Sequence, residues 1–123
     1  MVTHKLDNYL RTYRKRAGLT QREVAFLLGC ETGAQVSRHE KRHHLPPLRT
    51  ALEYEAAFRV PVSQLFAGIS EAANKLVEKR SAALQTKVME TQGSGGKDPT
   101  RAHKLRWFAQ RNAVRSLDQE TKS

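Results

Sequence analysis

The stretch Gly18-Leu-Thr-Gln-Arg-Glu-Val-Ala-Phe-Leu-Leu-Gly29 constrains the fold more than any other part of the chain. Thr20 and Glu23 stand at capping-box spacing. The threonine hydroxyl can accept the N3 amide, and the glutamate can reach back to the N-cap amide. Val24, Ala25, Leu27 and Leu28 supply one apolar side at helical spacing. The stretch reads as a short helix that begins at Thr20 and stops at Gly29, where a residue without Cβ takes positive φ at no steric cost. A second helix follows from about Gly33 to Lys41, weakly apolar, with Val36 as its main anchor. Ala25 is small where these two helices must approach closely.

Helices flank this unit on both sides. Residues 8–17 form one, with Leu10, Tyr13, Arg14 and Ala17 on a shared face and Gly18 as a left-handed C-cap. After the basic loop Lys41-Arg42-His43-His44-Leu45-Pro46, Pro47 suits the first position of a fourth helix. Leu48, Ala51, Leu52 and Phe58 are its expected inward residues, and Arg59-Val60-Pro61 ends it. Ser63 is the expected cap of a short fifth helix with Leu65 and Phe66 inward, and Gly68 closes this part. No strand alternation and no internal repeat occurs. From Ile69 the composition shifts to Ala, Glu, Lys, Leu and Gln, which predicts a long helix over 71–91 with a thin stripe of Ala73, Val77, Leu84 and Val88 interrupted by Arg80. Residues 92–99 are a Gly-rich linker by composition, and Thr100 can cap a last helix reaching about Leu117. The expected organisation is all-α: a five-helix domain over 1–68, a long helix over 69–91, a linker over 92–99, and a basic amphipathic helix and tail over 100–123.

Lys and Arg number 22 against 12 Asp and Glu, a formal charge of +10. The excess points to a polyanionic partner, nucleic acid before an anionic membrane. It is shared evenly, with 11 positive and 6 negative groups on each side of the boundary at Ile69. No apolar run approaches the roughly 18 residues of a membrane span, and the N-terminal residues lack the apolar core of a signal peptide. Cys30, the single cysteine, cannot form an internal disulfide, which fits a reducing compartment. Together these predict a cytoplasmic protein that does not enter the membrane.

The series Leu10…Arg14…Gly18-Leu-Thr-Gln21…Val24-Ala25…Leu28-Gly29…Val36-Ser37…Glu40 resembles the phage repressor/Cro (Xre-like) helix-turn-helix domain. Pro46…Leu48…Leu52…Val60-Pro-Val…Leu65-Phe66 continues the likeness, which covers roughly residues 6–68. The resemblance implies double-stranded DNA as partner, a homodimer, and a transcriptional regulator acting as a repressor at an operator. It implies that Gln21 donates to a phosphate and braces the recognition helix, and that Arg14 and Glu40 form a buried ion pair. The chain departs from the family in four places. The segment before Val36 is one residue longer. Glu31 puts a negative charge near the DNA face, either capping the third helix or reading a cytosine amino group. Arg42 replaces a common glycine. Glu55 stands where a small apolar residue is usual, so its carboxylate must face solvent or find a cation.

Thr32, Ala34, Gln35, Arg38 and His39 are the outward candidates of the recognition helix for base contacts. Glutamine can pair with adenine and arginine with guanine, each pair contributing about 1–3 kcal/mol of discrimination. Ala34 or Thr32 can meet a thymine methyl. Gln21, Arg22, Arg42, His43, His44 and Arg49 are better placed for phosphates, which position a protein without specifying sequence. Any one of these cations can equally be a solvated surface charge.

Other constellations carry little chemistry. His39, His43 and His44 near Cys30 match no paired zinc-ligand spacing. Cys30 itself reads as a small packing residue. Gly93-Ser-Gly-Gly has neither the following Lys-Ser/Thr nor the preceding strand of a phosphate loop, and no serine lies in a nucleophile motif. Neither an enzyme nor a cofactor is expected. Arg101, Lys104, Arg111 and Arg115 share one arc of the last helix with Phe108 inside it, beside Trp107, Val114 and Leu117. This reads as a solvated basic face with an apolar packing face, or as an accessory nucleic-acid or acidic-partner contact. Two further functional readings stand beside the repressor: an antitoxin-like DNA-binding protein whose residues 69–117 hold a protein partner, and charge-driven nonspecific packaging of nucleic acid.

Overall fold

Gly18 and Gly29 both adopt positive φ, 74° and 76°, and each breaks a helix. They set the frame of the N-terminal part. The computed structural model describes residues 6–41, 44–90 and 99–121, with side chains of the last helix described as far as Val114. Among the described residues the chain forms α1 (Leu10–Arg16), α2 (Gln21–Leu27), α3 (Ala34–Glu40), α4 (Leu48–Phe58), α5 (Val62–Leu65), α6 (Ala67–Glu90) and α7 (Arg101–Thr121), and no strand. They divide into two compact units, one ending at Asn74 and the other starting at Lys75.

In the first unit, α2 opens with a complete capping box. Glu23 N–H donates to Thr20 Oγ1 at 3.1 Å, and Thr20 N–H donates to Glu23 Oε1 at 2.9 Å. Two of the four amides that a helix start leaves unpaired are thereby satisfied. The core gathers Leu10 of α1, Val24, Ala25 and Leu28 of the α2 segment, Val36 of α3, Ala51 and Tyr54 of α4, and Leu65 and Phe66 of the α5 segment. The N-terminal segment is fastened beneath them: Tyr9 N–H donates to Leu65 O at 2.6 Å and Gly68 N–H to Leu6 O at 2.8 Å.

Several expected inward residues lie elsewhere. Leu27 is exposed, and so is Phe26. Val24, Ala25 and Leu28 already fill the face that α2 turns to the core. In α4, Ala51 and Tyr54 are buried and Phe58 is partly so, whereas Leu48 is 74% exposed and Leu52 also faces out. Leu48 and Leu52 lie about 120° and 160° round the helix from Tyr54, too far to share its face. Ala17 is exposed at the C-cap of α1. Pro47 precedes α4 instead of occupying its first turn. Ser63 lies inside α5, which follows Pro61. The first amide of that helix is satisfied from another element: Val62 N–H donates to Glu55 Oε1 at 2.7 Å. One oxygen of the half-buried Glu55 carboxylate is thus met by a backbone donor. Gly68, expected to close this part, sits in the first turn of α6.

In the second unit, the expected stripe of α6 stays largely uncovered. Ala73, at the end of the first unit, is exposed, as are Val77 and Leu84, while Ser81 is buried and Val88 half-buried. Phe108 is the buried apolar side chain of α7. Arg111 reaches α6 with both amino nitrogens, Nη2 at 2.6 Å from Glu78 Oε1 and Nη1 at 3.3 Å from Ser81 Oγ. Part of the basic arc of α7 is thus spent on its neighbour helix and is not a free solvated face. Arg101 is half-buried and Lys104 exposed. The side chains of Arg115 and Leu117 and residues 92–98 of the expected linker lie outside the described residues.

Candidate nucleic-acid interface

The turn from α2 to α3 fixes how the second helix is presented. Gly29 turns the chain, and Cys30 N–H returns to Ala25 O at 2.8 Å. Gly33 then passes tightly across the start of α2. A Cβ at this position would meet Arg22 N at 3.2 Å and Gln21 Cβ at 3.3 Å. Its φ is an ordinary −75°, so space and not backbone freedom asks for glycine here. Thr32 Oγ1 accepts from Ala34 N–H at 3.3 Å, and no side chain caps the helix at Gly33. Glu31 therefore does not serve as the cap of α3. The side-chain contact at this helix start is the one from Thr32 to the Ala34 amide.

The far end of α3 is clamped. Arg14 Nε donates to Glu40 Oε2 at 2.6 Å and Nη2 to Glu40 Oε1 at 3.2 Å, with Nη1 reaching Leu19 O at 3.0 Å. Gln21 Nε2 donates to the same Glu40 oxygen at 3.1 Å. The two charged side chains are only 12% and 6% exposed. The bond to Glu40 raises the Arg14 guanidinium further above its already high ordinary value, against the opposing effect of burial. One carboxylate thus ties α1, α2 and α3 together. Gln21 takes part in that clamp, beside a hollow also lined by Arg11, Thr20, Ser37 and Lys41. Arg11 and Lys41 are site residues beyond those expected from the sequence; Lys41 opens the basic run that ends at His44, and Arg11 precedes Arg14 by one turn.

Between these two ends α3 shows one face to the core through Val36 and leaves Thr32, Ala34, Gln35 and Arg38 exposed around it. Gln35 and Arg38, one turn apart, line a single open groove with His39, His44, Leu45, Pro47 and Thr50. His39 differs from the sequence expectation of an outward reader. It is half-buried, its Nδ1 lies 2.9 Å from the Tyr54 hydroxyl, and its ring meets that of Tyr54 edge-on at 5.8 Å. Burial first, then the charge of Arg38 and of His44, holds its pKa below the ordinary imidazole range. Burial likewise raises the Tyr54 phenol well above its ordinary value. Asn8 Nδ2 holds the His39 carbonyl at 3.2 Å. His39 acts at least as much on the seating of α3 as on anything outside it. Of the phosphate candidates, Arg22, His44 and Arg49 are exposed, and Arg42 and His43 lie outside the described residues.

A clamped helix with an exposed polar face, set at a glycine turn beyond a capped helix, is the arrangement of a DNA-binding helix pair. The chain matches the helix-turn-helix family over residues 10–65, somewhat under half its length. Over these residues the chain is similar to the Cro/CI/Xre-type helix-turn-helix family. A helix-turn-helix domain of this kind suggests a DNA-binding regulator of transcription. Comparison of the chain with curated proteins and with solved structures returns no match. None of the helices among the described residues is long and apolar enough to cross a membrane.

Proposed function

We propose that the protein is a sequence-specific repressor that occupies an operator in double-stranded DNA and excludes the transcription machinery by presence alone. The observation that carries this reading is α3 itself: Val36 and the Arg14–Glu40–Gln21 clamp fix one side, while Gln35 and Arg38 stand exposed on the other. A rigidly seated pair of hydrogen-bonding side chains is what direct readout in the major groove requires. Thr32 and Ala34 supply contacts nearer the helix start. Arg22, His44 and Arg49, with Arg11 and Lys41, supply phosphate contacts that set register. Arg42 and His43, which follow Lys41 in the sequence, are proposed for the same role. The protein acts as a dimer, with its two α3 helices about 34–36 Å apart on one face of the duplex. Residues 69–91 are the proposed dimerisation or partner-binding helix, and a protein partner would be held through residues 69–117, a reading favoured by the exposed Leu76, Val77, Leu84 and Trp107. A small protein that co-purifies with the chain would favour the antitoxin-like alternative.

A competition shift assay tests the roles. Gln35→Ala should change which duplex is preferred, and Arg49→Ala should weaken all duplexes alike. Equal effects of both variants on selected and random DNA would contradict the assignment.

A further inference from the structure

The amide of Gln35 does not swing freely. Its Oε1 accepts from Cys30 Sγ at 3.1 Å, across the turn between α2 and α3. Cys30 is itself fixed, by its own N–H bond to Ala25 O and by packing against the core. The start of α3 is fixed too, by Thr32 Oγ1 on Ala34 N–H and by the close pass of Gly33 over α2. The last torsion of a glutamine side chain is broad, so an untethered amide can present either its oxygen or its nitrogen. A thiol donates a hydrogen and is a poor acceptor, so it selects the amide oxygen as its partner.

We propose that Cys30 is a positioning residue that turns Gln35 into a hydrogen-bond donor toward DNA, and so sets the base class that this position accepts. The inference rests on the reading of Gln35 as a base-contacting residue. With Oε1 tied to the thiol, Nε2 is the group offered to the groove that Gln35 shares with Arg38. The guanidinium of Arg38 offers N–H donors and no acceptor. Two donors one helical turn apart call for neighbouring acceptors on the major-groove edge: guanine N7 and O6, adenine N7, or thymine O4. A cytosine there offers only its amino donor and is rejected. The two-point adenine contact open to a free glutamine gives way to selection for an acceptor. The extra residue in the turn belongs to the same segment as this tether, between Cys30 and Gln35.

The test is selection of bound duplexes from a random pool with the full-length protein and three variants, Gln35→Ala, Cys30→Ala and Cys30→Ser. Gln35→Ala should abolish the preference at one base pair. Cys30→Ala should lower discrimination at that same pair by about fivefold, the worth of one hydrogen bond, and leave the pair read by Arg38 unchanged. Cys30→Ser, which keeps a donor, should restore part of the preference. Thermal unfolding and binding to random duplex, measured alongside, should match the parent for the two Cys30 variants. If Gln35→Ala shifts the preference and Cys30→Ala does not, the positioning role is overturned and the base-reading role stands. If Cys30→Ala weakens every sequence alike, the cysteine is structural and the inference fails. If Gln35→Ala leaves every preference as it was, the base-reading role falls and takes the inference with it.

Discussion

Glu40 is the residue on which most of the interface depends. Its carboxylate receives Arg14 twice and Gln21 once, from two other helices. Glu40→Ala would leave a largely buried guanidinium unpaired, and it should cost about 3 kcal/mol of stability in urea unfolding. A loss too small to measure would mean the pair is solvated in solution. His39 gives a pH-dependent counterpart. Its folded pKa lies below the ordinary value of about 6.5, so the unfolded chain takes up the proton first. Stability should therefore fall as pH drops through about 6.5 and level off beneath the folded value. His39→Asn should flatten that part of the pH profile, and an unchanged profile would count against the buried position. The Arg14–Glu40 pair was legible through the family resemblance. His39 and Glu55 were not, because each is settled by a partner on a different element, Tyr54 and the Val62 amide, that no local pattern announces.

At the scale of elements, legibility followed local chemistry. The capping box of α2 and the glycine stops at Gly18 and Gly29 depend on residues a few positions apart, and they were readable. Thr20→Ala should destabilise the domain by about 1 kcal/mol, as loss of an N-cap does. The faces of α4 were less readable, since its leucines, alanines, tyrosine and phenylalanine offer more than one plausible stripe. Tyr54 took the buried place that Leu48 and Leu52 were expected to share. Leu48→Ala should accordingly shift the unfolding midpoint little, while Leu65→Ala, at a fully buried site, should cost about 2–5 kcal/mol. The reverse order would restore the sequence-based reading of α4. In α7 the basic arc was legible as an arc. Its direction was not, because Arg111 finds Glu78 about thirty positions away in α6.

For the whole molecule, a formal charge of +10 guarantees attraction to any duplex and says nothing of sequence. Binding should weaken steeply with salt, for selected and random DNA alike, as counterion release dictates. What separates a regulator from a cationic coat is whether α3 adds discrimination on top of that attraction. The deciding measurement is competition between a duplex selected from a random pool and unselected duplex at physiological salt. The account predicts that one motif is enriched, with two-fold symmetry and half-sites about one helical turn apart, and that it outcompetes random DNA by about 10³ or more. No enriched motif, with random duplex competing equally, would contradict it.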